Sequence, residues 1–312
     1  MKHTIKVIGA LALSVAPIAA FAQDISGGAT LGYGFSDISD IEQDLDSLTF
    51  DGRVTVAVGN GVSFGADLSA ARVDIDDVPD TINGSVIGAH AAYGFANGVS
   101  VGVYAEEAKI SSDILSSGGI GIDPSITSYG MMASYKFANG EVGGFFGRSE
   151  TNPSIDLIDV RDFGLSGTYA PMENLTLAGA FIRTTVENPI EDVDADFIGL
   201  AAAYDLNDTW TLFGGYANTS AEFAGIDGDI DTFGIGASYD LTSMMTVKSY
   251  VSLELARTDL SIDGSGADLD TVRLGLSFPF GAEGSNVPMN SVADAIMNPR
   301  HSTVSQTILT AF

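Results

Sequence analysis

Long stretches of the chain alternate between apolar and polar residues. In the segment SLTFDGRVTVAVG one parity carries Leu48, Phe50 and Val54, and in the segment TVRLGLSFPF one parity is apolar throughout. Successive side chains of a β-strand point to opposite faces, so a period of two over about ten residues predicts strands with one apolar face. The opposite parity is mostly Gly, Ala, Ser and Thr, which predicts a second face with few charges.

A short motif recurs along the chain. The hexapeptide YGFANG at 93–98 returns as YKFANG at 135–140, and further copies align on Tyr169, Tyr204 and Tyr239. The tyrosines are 34 to 42 residues apart, a spacing that indicates a repeated structural unit. Asn-Gly favours tight hairpin turns because both residues tolerate positive φ. Each copy therefore predicts two antiparallel strands joined by a short turn.

Fourteen strands account for the alternating segments. They are predicted at 28–37, 47–59, 61–73, 83–95, 98–108, 127–137, 141–149, 159–169, 174–185, 196–205, 209–219, 230–240, 245–257 and 269–280. Short turns alternate with longer acidic connections, predicted at 38–46, 74–82, 109–126, 150–158, 186–195, 220–229 and 258–268. This asymmetry is typical of transmembrane barrels, so the predicted fold is all-β: an up-and-down antiparallel β-barrel of about 14 strands, with 16 as the alternative.

Aromatic residues lie beside the predicted short turns. Outer-membrane barrels carry aromatic girdles where their surface meets the membrane interface. The predicted girdle consists of Tyr93, Phe95, Tyr135, Phe137, Tyr169, Tyr204, Trp210 and Tyr239. A soluble β-sandwich is the alternative, but its outward face would be charged, whereas one face here is apolar and the other has few charges.

The first 22 residues have the parts of a secretory signal peptide. Lys2 and Lys6 precede the apolar run VIGALALSVAPIAA, and AFA at 20–22 fits a cleavage site before Gln23. The run is short for a membrane anchor, and no stop-transfer pattern follows it. We therefore expect a signal peptide at 1–22, a barrel at 23–280 and a C-terminal extension at 281–312.

With these features the chain resembles Gram-negative outer-membrane porins, and is most similar to acidic porins of the alphaproteobacterial type. The resemblance rests on the signal, the Tyr-x-Phe-Ala-Asn-Gly hairpins, the girdle and the final strand DTVRLGLSFPF, and it covers about residues 1–280. It implies a passive channel in the bacterial outer membrane, assembled by the barrel-assembly machinery. The family is usually sixteen-stranded and trimeric, so a homotrimer and a monomer both stay open for fourteen strands.

The chain departs from the family after Phe280, where porins normally end. Two interpretations of residues 281–312 stay open. Val304, Ile308 and Phe312 share one parity, which permits a last strand at 303–312. Alternatively, SVADAIMN predicts a short helix and NPRH breaks strand pairing, which favours a tail or a plug inside the pore.

Charge and composition narrow the function. The chain has a formal net charge of −28 and no cysteine. Nucleic acid is excluded as a partner because its phosphates would be repelled. The acidic loops are expected to concentrate cations, so we predict a diffusion channel for small hydrophilic solutes and ions that prefers cations. The alternative is a structural or adhesive outer-membrane barrel with a plugged lumen.

Strand parity identifies the charged residues of the lumen. The predicted lumen-facing residues include Asp51, Arg53, Asp67, Glu106, Lys248 and Arg273. The third long loop, at 109–126, is expected to enter the barrel because the resemblance implies it, and Asp113 and Asp123 would then face Arg53 and Arg273. Such a transverse field would select ions. In the alternative interpretation the arginines pair with neighbouring acids and tune nothing.

Other chemistry is weakly indicated. Asp227, Asp229 and Asp231 are weak candidates for a metal site, since no segment has the spacing of a calcium-binding loop. The exported chain has two histidines, His90 and His301, and no cysteine, so we expect neither an enzyme nor a cofactor. The expected partners are outer-membrane lipid and lipopolysaccharide.

Overall fold

The computed structural model describes residues 24–39, 43–76, 81–112, 124–154, 158–187, 189, 192–223, 225–281 and 284–311. The predicted signal peptide lies outside these residues. Fourteen antiparallel strands form one closed barrel, in which each strand pairs with its sequence neighbours and β1 pairs with β14. The strands are β1 (Asp24–Ile38), β2 (Gln43–Gly59), β3 (Val62–Ile75), β4 (Thr81–Gly94), β5 (Val99–Ser112), β6 (Ser125–Phe137), β7 (Gly140–Asn152), β8 (Asp159–Met172), β9 (Leu175–Glu187), β10 (Val193–Asp205), β11 (Trp210–Phe223), β12 (Ile226–Asp240), β13 (Tyr250–Ile262) and β14 (Ser265–Phe280).

The register keeps one face apolar around the whole barrel. At the closure, Leu31 of β1 lies opposite Leu276 of β14 and Phe50 of β2, and all three belong to the outward parity. One residue earlier, the hydroxyl of Thr30 points inward and is 2.8 Å from that of Ser277. A one-residue slip would exchange the two faces, so the alternation fixes the register. The prediction of a fourteen-stranded barrel is confirmed, and sixteen strands are not formed in the described part of the chain.

Three connections differ from the prediction. The segments 220–229 and 258–268, predicted as long acidic loops, are mostly strand, and the chain reverses tightly at Gly225 and at Asp263–Gly264, where φ is positive. Conversely, β13 begins at Tyr250, not at 245, and Leu241 N donates to Ser249 O across a wide turn. The apolar residues of that turn mimic a strand pattern, but they are exposed at the rim.

Residues 284–311 lie inside the barrel, and we call this segment the plug. It contains the helices α1 (Val292–Met297) and α2 (Thr303–Ala311), so a last strand at 303–312 was a wrong alternative. The shared parity of Val304 and Ile308 is also a spacing of four, which suits a helix. The Ser302 hydroxyl accepts from Ser305 N and begins α2. Among the described residues, no helix is long and apolar enough to cross a membrane.

A lysine in place of Leu200 should reveal the lipid-facing surface. Leu200 lies near the middle of β10 and its side chain is 63% exposed. A charge at the bilayer midplane costs about 2–4 kcal/mol, whereas the cost near the interface is about 0–1 kcal/mol. We expect L200K to lower the free energy of unfolding in lipid vesicles by that larger amount. The control L206K, at the neighbouring turn, should change it little, and equal effects would contradict this membrane placement.

Candidate functional site

One buried glutamine links the parts of the plug by hydrogen bonds. Gln306 of α2 donates through Nε2 to Ala295 O of α1 at 2.8 Å, and its Oε1 accepts from Arg300 N at 2.7 Å. Its side chain is fully buried. Buried amides are stable when both ends are satisfied, so this residue holds α1, the connecting segment and α2 in one arrangement.

An ion pair joins α1 to the wall at β2 and β3. Arg53 donates through Nε to Asp67 Oδ1 and through Nη2 to Asp294 Oδ2, both at 3.1 Å. Asp294 is almost fully buried, and burial raises its pKa above the ordinary value while Arg53 opposes that rise. A buried carboxylate needs such a partner, because an unpaired charge would be costly.

A second ion pair contacts both helices of the plug. On the wall, Arg273 of β14 donates to Glu254 of β13 at 3.0 Å, and both side chains are buried. Glu254 also accepts from Val292 N, at the first residue of α1. Arg273 also donates to Thr310 O near the end of α2, at 3.2 Å. The wall pair therefore holds the start of one helix and the end of the other.

The segment between the helices contacts the lumen wall at β3 and β5. Arg300 donates to Ser69 Oγ of β3 at 2.9 Å. His301 stacks on Tyr104 of β5 with ring centroids 3.7 Å apart, and its Nδ1 is 3.3 Å from Glu106 Oε2. These contacts lie on β3 and β5, so the plug is held around much of the circumference.

A buried polar chain on β7, β8 and β9 supports the start of α2. Asp162 is fully buried and accepts from Ser149 Oγ at 2.5 Å and from Thr184 Oγ1 at 2.7 Å. The Thr184 hydroxyl accepts in turn from Thr303 N at 3.0 Å. The wall thus satisfies one of the amide groups that the first turn of a helix leaves without an intrahelical partner.

The contact between α1 and strands β9 to β13 is largely apolar, and we call it the apolar seat. Val292 and Ile296 of α1 are fully buried against an inward patch of β9 to β13 that includes Phe197 and Phe213. Gly215 makes room for the helix, because a Cβ there would lie 3.0 Å from Ile296 Cδ1. The wall is therefore shaped to accept α1.

Two small cavities lie between the plug and the wall. One cavity of about 30 Å³ is bordered by Asp51, Asn290 and Ile308, and one of about 10 Å³ is bordered by Arg53 and Asp294. A water molecule needs at least about 10–15 Å³, so the larger cavity has room for two or three waters and the smaller for at most one. A solute larger than water does not fit in either cavity.

The predicted lumen residues fall into three groups in the structure. Asp51, Arg53, Asp67, Glu106 and Arg273 face inward and lie at the plug. Lys248 was wrongly placed: it lies before β13, is exposed, and has its Nζ 5.5 Å from the centre of the Tyr250 ring. Asp113 and Asp123 lie outside the described residues.

Several residues of the site were not singled out from the sequence. Parity on β8 points Asp162 inward, so the pattern could have identified it. Asp294, Arg300, His301 and Gln306 lie in the plug, where no repeating pattern places a side chain. Their positions follow from tertiary contacts with strands more than 100 residues away in most cases.

The aromatic girdle residues lie beside the short turns, and most are exposed on the outer surface. Neighbouring rings contact each other around this rim, with centroids 4.8 Å apart for Tyr93 and Phe95 and 4.9 Å apart for Trp210 and Tyr239. Phe137 bridges Tyr135 and Tyr169 at 6.5 and 6.4 Å. Tyr204 is exposed beside the next short turn.

The weak metal candidates do not converge. Asp227, Asp229 and Asp231 follow one another along β12, and Asp231 accepts from Tyr216 and Asn218. In the part of the chain that the structure describes, no group of three or more His, Asp or Glu residues is arranged to hold a metal ion.

Comparisons with known proteins agree with this architecture. A structure of a Pseudomonas aeruginosa FadL homologue superposes with a TM-score of 0.55 at 13% identity, covering 82% of this chain and 90% of that one. A mutant of the TodX monoaromatic hydrocarbon channel superposes with a TM-score of 0.51 at 11% identity, covering 85% and 91%. At these identities the likeness concerns the fold alone. The search of curated proteins gave no match.

The sequence itself matches a family model described as Gram-negative porin. The matches cover residues 55–222 and 127–261, and the first alone spans more than half of the chain. These residues include the strands that carry Asp67, Glu106, Asp162 and Glu254. The chain therefore belongs to the Gram-negative porin family.

Proposed function

We propose that the protein is an outer-membrane channel for small hydrophilic solutes and ions, which prefers cations and is closed here by its own plug. The observation that carries the proposal is how the plug is seated. In the described part of the chain, the hydrogen bonds between its two helices and the wall each involve at least one side chain. The plug can therefore leave without breaking any strand pairing of the barrel.

The preference for cations follows from the charges of the wall. Five carboxylates and two arginines of the wall face inward at the plug: Asp51, Asp67, Glu106, Asp162, Glu254, Arg53 and Arg273. A lumen with low-dielectric walls focuses such a field and raises the local concentration of the opposite charge. Once the plug is displaced, cations are favoured over anions.

The proposal is tested by single-channel recording in planar bilayers. The full-length exported chain is compared with a variant that lacks residues 281–312 and so ends in Phe280. We expect the full-length protein to be mostly closed, and the shortened barrel to give stable steps with a cation-selective reversal potential under a KCl gradient. Circular dichroism and heat-modifiable mobility identify folded barrels. A folded, shortened barrel that does not conduct would refute the channel function.

Selectivity of the shortened barrel should follow the wall charges. Replacing Arg53 and Arg273 by Ala leaves only carboxylates among these seven wall charges, so we expect the ratio of cation to anion permeability to rise. The matched variant D51N/D67N removes two negative charges and should lower the same ratio. Reversal potentials that stay the same in both variants would show that these residues do not tune the pore.

A second candidate is a structural or adhesive barrel whose lumen stays plugged. The observation that favours it is the apolar seat, where Val292 and Ile296 are completely buried. If the plug is a permanent part of the core, the shortened barrel should be much less stable and should fail to conduct. The same recordings, together with unfolding curves of the two proteins, therefore separate the two functions.

A further inference from the structure

His301 of the plug contacts three side chains of the lumen wall, Tyr104, Phe145 and Glu106, which we call the cradle. Its ring lies parallel to Tyr104, at an interplanar angle of 14°, and meets the edge of Phe145 at a centroid distance of 5.0 Å. Its Nδ1 is 3.3 Å from Glu106 Oε2. Tyr104 and Glu106 are 4% and 3% exposed, whereas the His301 side chain is 21% exposed. Tyr104 and Glu106 are thus buried beneath the His301 ring, which is itself partly exposed to solvent.

The cradle belongs to the wall. Tyr104 lies over Gly147, where an added Cβ would be 2.1 Å from the tyrosine hydroxyl, and Phe145 lies over Gly164, where a Cβ would be 2.1 Å from the ring. The two rings also contact each other, edge to face, at 5.7 Å. The strand glycines give room for both aromatic side chains, and this ring contact joins them on the wall itself.

The chemistry of the cradle suits a flat cation. An aromatic face attracts a cation through its quadrupole, and a carboxylate beside it adds a charge-assisted hydrogen bond. Imidazolium and guanidinium groups are planar, carry N–H donors at their edges and stack on aromatic rings. His301 already presents such a ring in this place.

We infer that Tyr104, Phe145 and Glu106 form a lumen binding site for planar nitrogen cations, which the plug's own His301 occupies in the closed protein. The inference rests on the proposed function, because in the wild-type protein a solute can occupy this site only when His301 has left it. It adds a substrate class: small solutes bearing an imidazolium or guanidinium group. Such solutes compete with His301 for one site.

The test uses the full-length protein with His301 replaced by Ala, which leaves the place of the imidazole ring open. The probes are imidazole, mostly protonated at pH 6, and pyrazole, a neutral ring of the same size. Dissociation constants come from calorimetric titration in micelles, and the ligand-dependent rise of the unfolding temperature gives a second readout. We expect imidazolium to bind H301A about tenfold more tightly than pyrazole does, which corresponds to one charge-assisted contact.

The controls separate this site from general binding. The double variant H301A/E106Q should lose about tenfold in imidazolium affinity, because the charge-assisted contact is gone. The variant H90A removes the other lumen imidazole, beside Asp67, while His301 still occupies the cradle, and it should bind imidazolium no better than wild type. If H301A is unfolded without imidazole, folding of the protein when imidazole is added supports the site. If H301A is unfolded both with and without imidazole, the variant H301S is used for the same titrations.

The contradicting results are specific. Equal affinity for imidazolium and pyrazole, no binding by folded H301A, or no effect of E106Q would overturn the inference. These results are distinct from a failure of the channel function. The channel function is tested by the conductance of the shortened barrel, and that test requires no ligand. Binding without conduction would leave the site in a barrel that is not a channel.

Discussion

The full-length variant D294R is expected to conduct nearly as well as the barrel without its plug. The introduced guanidinium would face Arg53, with Arg300 also close to this part of the wall, in place of a buried ion pair. Breaking a buried pair by removing one partner costs about 3–5 kcal/mol, and like charges add to that cost. The ratio of closed to open protein should therefore fall by a factor of at least about 100. Single-channel recording in planar bilayers measures the open fraction.

Two variants control for this result. D294N keeps the shape of the side chain and leaves Arg53 paired with Asp67, so we expect a smaller rise in open probability. D208R makes the same change of charge at an exposed short turn and should leave the protein closed. A D294R protein that stays as closed as D208R would contradict the role of this ion pair.

Replacing Ile296 by Ala should loosen the plug through its apolar seat. Ile296 is completely buried against Phe197 and Gly199, and truncation of a buried isoleucine costs about 2–5 kcal/mol. The cost falls on docking of the plug, because the strand ladders are untouched. We expect amide hydrogens of α1 and α2 to exchange faster by a factor of about 30 or more, while the mid-strand amides remain protected.

The matched control is V304A on α2, where the side chain is 44% exposed. This variant removes a similar apolar group that contributes little to the seat, so exchange in the plug should stay near the wild-type rate. If I296A and V304A behaved alike, or if I296A raised exchange throughout the barrel, the plug would not be a separately docked unit.

The barrel could be predicted from sequence because its pattern is local. Each strand is about ten residues of alternation, and parity alone places Arg53, Asp67 and Glu106 on the inner face. Turn chemistry located the Asn-Gly hairpins. The prediction of strands failed at Met244 to Val247, where apolar residues at the rim imitate a strand. Lys248 was therefore wrongly placed on the lumen wall.

The plug could not be derived in the same way. Its helices are short, and Val304 and Ile308 fit a strand parity as well as a helical spacing. One of its ion pairs joins Arg53 to Asp294, 241 residues later in the chain, and no spacing in the sequence encodes it. The sequence allowed a plug as one alternative, but it did not indicate which wall residues hold it.

The most direct test of the central claim, that the plug is what closes this channel, is a reversible cross-link. The chain has no cysteine, and the hydroxyls of Thr219 on β11 and Thr307 on α2 are 2.9 Å apart, so T219C/T307C can form a single disulfide between wall and plug. In the D294R background we predict a closed protein when this disulfide is oxidised, and cation-selective steps in the same bilayer after a reductant is added. Equal conductance before and after reduction, with the cross-link verified, would contradict the claim.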